Sequence, residues 1–403
     1  MWRLAWRNVF RHRMRTVLTL AAIMFGVAAL IVTGGFVEDT LIQLRESTIQ
    51  SQLGHLQIYK AGFLKSGRLS PFKYMIEDPE KLASQLRGLP NILDIMPRIT
   101  FSGLLSNGKT TIGIIGDGLD VVKEARWSHS LKLVSGRQLS PKGRYEILLG
   151  RGIAQSLKLK AGDRATLLLS TSGGALNSLD FDIVGVFQTF SKDYDDRAVR
   201  ITLDAAQELL GTQAVHKLVI ALNDTLATDT VAQHVRQVLP AGEFEIKTWR
   251  ELADFYTKAA DLYKRYFAVL KLIILGLVLL GVANTVNMTI YQRTGEFGTL
   301  KALGNRGGSV LRLLLGEYFL VASLGSAGGV LFGILLASLI SLIGIPMPPM
   351  PNTDIGYTAL IRIVPLELAQ AFLIGLIATF GAAFLPARRA SRIAVVEALR
   401  HNN

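Results

Sequence analysis

Two stretches of the sequence carry residue types and spacings that could bind a nucleotide. The first, GLLSNGKT at Gly103 to Thr110, fits the phosphate-loop pattern G-x-x-x-x-G-K-[ST] at every fixed position. That chemistry needs a helix after the loop, so that backbone N–H groups and the helix N-terminus face the phosphates. Here the β-branched, glycine-rich run TTIGIIGDG follows, which is typical of a strand. We therefore expect a hairpin turn at Asn107 and Gly108 and no nucleotide site.

The second stretch, LVSGRQLS at Leu133 to Ser140, is similar to the LSGGQ element of transport ATPases. It lies close behind the first motif, and no apolar run ending in Asp-Glu supplies a metal ligand. We interpret both stretches as loops. The sequence therefore predicts no nucleotide cofactor in this chain, so that any energy from ATP must come from another subunit.

Other catalytic or metal-binding arrangements are not indicated. The six histidines show no metal-ligand spacing, and no G-x-S-x-G nucleophile elbow occurs. The absence of cysteine excludes disulfides and thiol chemistry. The acidic cluster Asp193, Asp195 and Asp196 lacks the glycine and glutamate of an EF-hand loop, so we predict a solvated turn there. The sequence therefore favours a role other than catalysis.

The elements around these motifs are typical of a membrane protein. The chain has 403 residues, only 19% of them charged, and a mean hydropathy of +0.34. Four segments reach the roughly 20 apolar residues that cross a bilayer as a helix. The predicted order is a cytosolic amphipathic helix (1–16), transmembrane helix 1 (17–37), an extracytoplasmic mixed α/β domain with stalks (38–265), transmembrane helix 2 (266–290), a cytosolic coupling loop or helix (291–312), transmembrane helix 3 (313–345), an external loop (346–365), transmembrane helix 4 (366–386) and a cytosolic C-terminal helix (387–403).

The distribution of positive charge predicts the orientation. Excess Lys and Arg in short loops marks the cytoplasmic side of a membrane. Only Glu296 and Glu397 oppose the cations at the two chain ends and in the middle loop, which are Arg3, Arg7, Arg11, Arg13, Arg15, Arg293, Lys301, Arg306, Arg312, Arg388, Arg389, Arg392 and Arg400. Both termini and the 291–312 loop are therefore predicted inside. The 38–265 block has nearly equal numbers of acidic and basic residues, so nucleic acid is not an expected partner.

Two helical stalks are predicted to carry the outer block. The first membrane segment continues into EDTLIQLRESTIQSQL without a helix breaker, and WRELADFYTKAADLYKRYF leads into the second with apolar residues at i, i+3 and i+4 spacing. At the N-terminus, arginines every four residues from Arg3 to Arg15 indicate either a helix lying on the membrane surface or orientation charges alone. Both stalks would let motion pass along the chain.

The outer block is predicted to be mixed α and β and is large enough for two sub-domains. Alternating or β-branched runs predict strands at 55–59, 98–105, 110–116, 145–150, 165–170, 181–190, 198–203 and 217–222. Helices are predicted at 79–88, 152–157, 204–210 and 228–238. The loop STSGGALNSLD (170–180) is predicted to be an exposed hairpin tip, which includes Ser172, Gly173, Gly174 and Asn177.

A few polar and small residues lie within the membrane segments. Lys271 is expected to reach the headgroups at the outer end of the second segment. Glu317 lies a few residues from Arg312, so that either an ion pair with it or an interfacial position is expected. Gly325, Gly329 and Gly333 form a small face that we predict to serve helix packing.

Five stretches in order around the four membrane segments resemble permease subunits of the FtsX and MacB class of ABC transporters. They are AWRNVFRHRMRTVLTLAAIMFGVA, ILLGRGIAQSLKLKAGDRATLL, GVFQTFSKDYDDRAVRITLDAAQELL, RTGEFGTLKALG and LPARRASRIAVVEALR. The third is most similar to lipoprotein-releasing permeases of the LolC and LolE type. The resemblance covers essentially the whole chain.

The resemblance implies a permease of a bacterial inner membrane without its own ATPase site. It would pair with an identical or paralogous permease and with a cytosolic ABC ATPase dimer that binds ATP and Mg. Movement of the stalks and the outer domain would transmit the ATP cycle, a mechanism called mechanotransmission. Arg293, Glu296, Gly298, Lys301 and Gly304 would form the ATPase contact, and the 170–180 loop matches the place of a hook that recruits a periplasmic carrier.

Three functions stay open at this point. The first is extraction of a lipoprotein or another lipidated substrate from the outer leaflet of the inner membrane. The second is MacB-like efflux with an adaptor. The third is a non-transporting, FtsX-like permease that activates a periplasmic partner, although activators of that kind generally have a smaller outer domain.

Overall fold

The computed structural model describes residues 13–67, 69–127, 131–189, 191–348 and 356–392. Most of the predicted N-terminal amphipathic helix and most of the predicted C-terminal helix lie outside these ranges. Along the chain the elements are α1 Arg13–Thr48, β1 Leu56–Lys60, α2 Phe63–Ser66, α3 Pro79–Leu86, β2 Ile92–Ser106, β3 Thr111–Leu119, α4 Val121–Trp127, β4 Lys132–Gly136, β5 Glu146–Gly150, α5 Arg151–Leu157, β6 Arg164–Ser170, β7 Leu176–Gln188, α6 Lys192–Asp195, β8 Ala198–Thr202, α7 Leu203–Leu210, β9 Lys217–Leu222, α8 Thr228–Val238, β10 Phe244–Thr248, α9 Trp249–Leu252, α10 Asp254–Gln292, α11 Thr294–Ala302, α12 Gly307–Ile343, β11 Ile345–Met347, β12 Tyr357–Ala359 and α13 Pro365–Arg392.

The chain separates into two compact units. A membrane-helix unit contains residues up to 42, 259–347 and those from 358, and an α/β unit contains 43–258 with 348–357. Four helices of the described residues, α1, α10, α12 and α13, are long and apolar enough to cross a membrane. The α/β unit lies between the first and second of these in sequence, as predicted.

The two predicted stalks are present as helix. α1 runs without a break to Thr48, beyond the apolar segment that ends at Val37, and α10 begins at Asp254, before the apolar segment. Neither stretch contains Gly or Pro, so the backbone hydrogen bonds continue past the apolar run. In the membrane-helix unit, α13 continues through Pro386 to Arg392, so the fourth predicted membrane segment and the first residues of the predicted C-terminal helix form one helix.

The glycine face of α12 packs against α1. A Cβ atom built at Gly329 would lie 2.7 Å from Cβ of Val27, and one at Gly333 would lie 2.9 Å from Cδ1 of Ile31. Gly325 meets Ile23 in the same way. The two helix backbones therefore approach closely only because these positions lack side chains, which confirms the predicted packing role.

Two charged residues of the membrane-helix unit have partners that the sequence does not reveal. Nζ of Lys271 lies 3.3 Å from Oε2 of Glu367 and 4.2 Å from the centre of the Phe267 ring. Nε of Arg362 lies 3.0 Å from Oδ1 of Asp39, whose side chain is buried. Lys271 therefore forms an ion pair between α10 and α13, and its placement at the headgroups stays a prediction.

A ten-stranded, mostly antiparallel sheet forms the α/β unit. Its strand order is β10-β1-β9-β2-β3-β8-β5-β7-β4, and β6 pairs with β2 and β7. All eight predicted strands are present, and β4 and β10 were not predicted. One continuous sheet therefore joins all ten strands of this unit.

The helices of the α/β unit cover the sheet through their apolar faces. α7 begins where the Thr202 side chain accepts a hydrogen bond from the amide of Ala205, and it ends at Gly211, whose φ is +68°. It buries Ala205, Ala206, Leu209 and Leu210, and α8 buries Val231, Ala232 and Val235. These side chains belong to the main apolar core with residues such as Leu56, Ile99 and Phe181.

Candidate functional site

The connection between α10 and α12, residues 293–306, contains the predicted ATPase-contact residues. α10 ends at Gln292, and α11 follows after Arg293, whose backbone leaves the helical conformation. Gly304 has a φ of +90°, and the amides of Gly304 and Asn305 donate to the carbonyls of Lys301 and Leu300. A glycine in the left-handed conformation directly after a helix is the usual way to stop it. The sequence therefore sets a nine-residue helix between two breaks.

Arg293 joins three elements through its guanidinium group. Its Nη1 donates to Oε2 of Glu317 on α12 at 2.7 Å, and its Nε donates to Oε2 of Glu296 on α11 at 2.9 Å. The guanidinium carbon also lies 5.3 Å from the centre of the Phe297 ring. Arg293 and Glu317 side chains are each only 8% exposed. The predicted pairing of Glu317 with Arg312 is wrong, because the structure pairs Glu317 with Arg293.

A second contact holds the other end of α11. Nζ of Lys301 donates to the backbone carbonyl of Ser391 on α13 at 2.8 Å. The chain also passes close to the same carbonyl at Gly307, where an added Cβ would lie 2.6 Å from it. α11 is therefore connected to α12 through Arg293 and to α13 through the hydrogen bond of Lys301.

The predicted contact residues differ in exposure. Arg293 and Gly298 are buried and Lys301 is half-buried, so direct contact of these residues with an ATPase stays a prediction. The exposed positions include Glu296, Gly304 and Leu303, which is 78% exposed. An exposed leucine beside charged groups is suited to a protein contact.

The predicted hook residues meet at one hairpin tip. Ser172, Gly173 and Gly174 are exposed in the turn between β6 and β7, and Gly174 has a φ of +82°. The amide of Ser172 donates to the carbonyl of Leu210, and Nδ2 of Asn177 donates to the carbonyl of Leu209. The tip is therefore tied to the end of α7, and Asn177 belongs to strand β7 rather than to the turn.

The phosphate-loop-like stretch forms a β-hairpin, as predicted. β2 ends at Ser106 and β3 begins at Thr111, and the two strands pair in antiparallel register. Oδ1 of Asn107 accepts the amides of Lys109 and Thr110, and Gly108 has a φ of +84°. Strand β3 therefore follows the turn, whereas a phosphate site requires a helix whose N-terminus points at the phosphate. The LSGGQ-like stretch is not a loop throughout, because its first residues belong to strand β4.

The predicted solvated turn after β7 holds for the exposed Asp193 and Asp196 and is wrong for Asp195. Asp195 is only 4% exposed and accepts hydrogen bonds from the amide and the hydroxyl of Thr189. Burial raises the pKa of Asp195 to about 6, against the opposing effect of those hydrogen bonds. Its role is to close a loop. No group of three or more His, Asp or Glu side chains suited to a metal ion occurs within the described ranges.

Sequence reasoning also missed a group of charged residues inside the α/β unit. Arg98, Asp117, Arg200 and Lys217 lie on neighbouring strands, and burial lowers the pKa of Lys217. Burial by itself raises the pKa of Asp117. The pKa nevertheless lies below its usual value, because it is lowered by the positive charges of Lys217, Arg98 and Arg200 and by a hydrogen bond from Tyr194. A signal existed in the sequence, because Asp117 and Arg200 each stand within a mostly apolar strand and Lys217 begins one.

Comparison with known proteins gives matches over both units. The profile of the MacB-like periplasmic core domain matches residues 16–238, and that of the FtsX-like permease C-terminal region matches residues 268–395. An uncharacterised ABC transporter permease of Methanocaldococcus jannaschii is 23% identical over 412 residues, covering 98% of this chain and 96% of the relative.

The macrolide export ATP-binding/permease protein MacB of Brucella abortus is 26% identical over 97% of this chain. The chain spans 58% of that protein. Among solved structures, the periplasmic region of MacB from Actinobacillus actinomycetemcomitans is 13% identical, with a TM-score of 0.37, over 52% of this chain and 94% of that structure.

Proposed function

Since this chain belongs to the ABC transporter permeases of the MacB and FtsX class, we propose that it transmits an ATP cycle from one side of the membrane to the other. An ABC ATPase dimer on the cytosolic face would bind ATP and Mg, and this chain would work as one of two permeases, identical or paralogous. The α/β unit would move in response. The observation that carries the proposal is the α10–α12 connection, with its exposed Leu303 and Glu296 and its buried attachment through Arg293.

The orientation follows from charge. The cations of the chain ends and of the 291–312 region would lie on the cytosolic side of a bacterial inner membrane, and the α/β unit would lie in the periplasm. An ATPase docked at α11 would then push on α12 and α13 through Glu317 and Ser391. The unbroken helices α1 and α10 would carry the movement outward.

A lipidated substrate is the cargo that the membrane helices favour. α1 exposes Phe25, at 63%, and α10 exposes Leu272 and Leu280. Such faces can hold an acyl chain of a lipid or lipoprotein from the outer leaflet. Mass spectrometry of the purified complex in nanodiscs tests this proposal: bound acylated protein or lipid supports it, and an empty complex contradicts it.

MacB-like export is a second candidate for the cargo. It is favoured by relatives such as the macrolide exporter of Brucella abortus, which are similar over nearly the whole of this chain. In either case a periplasmic carrier or adaptor could meet the exposed hairpin tip at Ser172 to Gly174. Macrolide-stimulated ATP hydrolysis by the reconstituted complex would favour export over lipoprotein release.

The coupling proposal is tested at the surface of the connection. Glu296→Lys reverses a charge on α11, and Leu303→Glu removes its exposed apolar contact without touching Arg293. Both variants should separate ATP hydrolysis from substrate release in vesicles that contain the ATPase. Glu243→Lys, an exposed position of the α/β unit, is the matched control. Unchanged release by both connection variants would refute the proposal.

A further inference from the structure

The stalk that leaves the membrane ends in an unusual way. After Thr48, α1 passes into a π-helical turn, Ile49–Leu53, and Gly54 with a φ of +69° ends it. The last carbonyls of a helix have no partner within the helix and must be satisfied by other groups. π-helical turns are rare and are found frequently at functional sites. The groups that receive these carbonyls therefore decide how α1 is attached to the sheet.

Two arginines from different strands receive two consecutive carbonyls of this turn. Nη1 of Arg98 on β2 donates to the carbonyl of Gln52 at 2.6 Å, and Nη2 of Arg200 on β8 donates to the carbonyl of Ser51. The arginines are only 2% and 4% exposed. Because a helix C-terminus carries partial negative charge, two cations at this end are electrostatically favourable.

Charged and aromatic side chains surround both arginines in the interior. Nη2 of Arg98 lies 2.6 Å from Oε1 of Glu124, and the Arg200 guanidinium lies 5.1 Å from the centre of the Phe187 ring. Asp117, which accepts hydrogen bonds from Thr100 and Tyr194, adds a second buried negative charge. Buried ion pairs add little net stability compared with apolar side chains of similar size. An attachment that needed only stability would be apolar.

The two strands give the attachment a wide reach. β2 pairs with β3, β6 and β9, and β8 pairs with β3 and β5. A displacement of the α1 end would therefore act on both sides of the central strand β3 at once. A cavity of about 240 Å³ borders Arg200 and Glu124, so this part of the interior has room for a change in position.

We propose that Arg98 and Arg200 are positioning residues that fasten the end of α1 to β2 and β8 and so carry movement of the stalk into the sheet. This inference rests on the proposed function. The π-helical turn connects α1 to the sheet, and the hydrogen bonds to the carbonyls of Ser51 and Gln52 attach it there. Loss of the attachment should leave ATP hydrolysis unchanged, and the sheet should no longer respond to ATP.

Hydrogen–deuterium exchange of the full chain with its ATPase in nanodiscs tests the proposal, with and without ATP and vanadate. In the unaltered complex, ATP should change exchange both in the 49–53 turn and in β8. Arg200→Met should keep the change in the turn and reduce the change in β8 at least threefold. Arg197→Met, which alters an exposed arginine three residues away, is the matched control and should behave as the unaltered chain does.

Two further variants keep the test decisive. Arg200→Gln keeps a polar side chain that is too short to reach the Ser51 carbonyl as arginine does, so it should also lose the β8 response. This variant serves the test if Arg200→Met does not fold. Arg200→Lys, which keeps the charge and most of the length, should restore at least half of the response, whereas a purely structural role predicts no such graded recovery. An ATP response in β8 that survives both Met and Gln overturns the proposal. An unaltered complex without any ATP response refutes the proposed function itself.

Discussion

The buried salt bridge of the α10–α12 connection makes a quantitative prediction. Arg293→Met removes the hydrogen bonds to Glu317 and Glu296 and breaks the ion pair with the Glu317 carboxylate, which is only 8% exposed. Removing one partner of a buried ion pair costs about 3–5 kcal/mol. We expect the free energy of unfolding in mixed micelles, measured by titration with a denaturing detergent, to fall by about that amount.

Two companion variants separate the salt bridge from other effects of the substitution. Arg312→Met removes an exposed arginine of the same region and should cost less than about 0.5 kcal/mol, as surface substitutions do. The double variant Arg293→Met, Glu317→Leu replaces both charges by apolar groups and should recover most of the stability. Equal, small losses for Arg293→Met and Arg312→Met would refute the assignment of Arg293 as the partner of Glu317.

The other predictions concern helix packing and pH. Gly329→Leu should lower the melting temperature of the full chain, because a side chain there meets α1, whereas Gly281→Leu, with open space around it, should not; equal melting temperatures would contradict the packing. Burial lowers the pKa of His55 and His216 to about 4 and raises that of Asp195 to about 6. Between about pH 6 and 4, both histidines bind a proton in the unfolded chain but not in the folded chain. Asp195 has the opposite effect, because it binds a proton only in the folded chain. The unfolded chain therefore binds more protons in total over this range. Stability of the α/β unit should therefore fall as pH falls through this range, and His216→Gln should weaken that dependence in thermal denaturation; an unchanged pH profile would contradict it.

Local patterns made much of the fold predictable. The hairpin at Asn107 and Gly108 follows from the turn preference of these two residues. Helix α8 spans the predicted residues, because the spacing of its apolar residues is helical and the structure buries those residues. β4 and β10 escaped prediction for a physical reason. β4 is a mostly exposed edge strand, and β10, also at an edge, is half-buried along most of its length, so neither displays a clear apolar pattern.

The candidate site was less predictable, because its contacts are made between distant parts of the chain. Glu317 lies closer in sequence to Arg312 than to Arg293, and only the packing of α11 on α12 decides between them. The buried arginines of the α/β unit pose the same difficulty, since Arg98 meets a carbonyl 46 positions away. Sequence patterns singled out the 291–312 segment and gave no guide to which of its residues are buried.

The most direct test of the account is the distance between the two α/β units of the permease pair during the ATP cycle. The chain has no cysteine, so Leu226→Cys, at a position 80% exposed, gives one spin label per copy in a pair of identical chains. Pulsed electron paramagnetic resonance on the reconstituted complex should show a shifted distance distribution with ATP and vanadate, and Leu303→Glu should abolish the shift. The same distribution in both nucleotide states would contradict transmission through the α10–α12 connection.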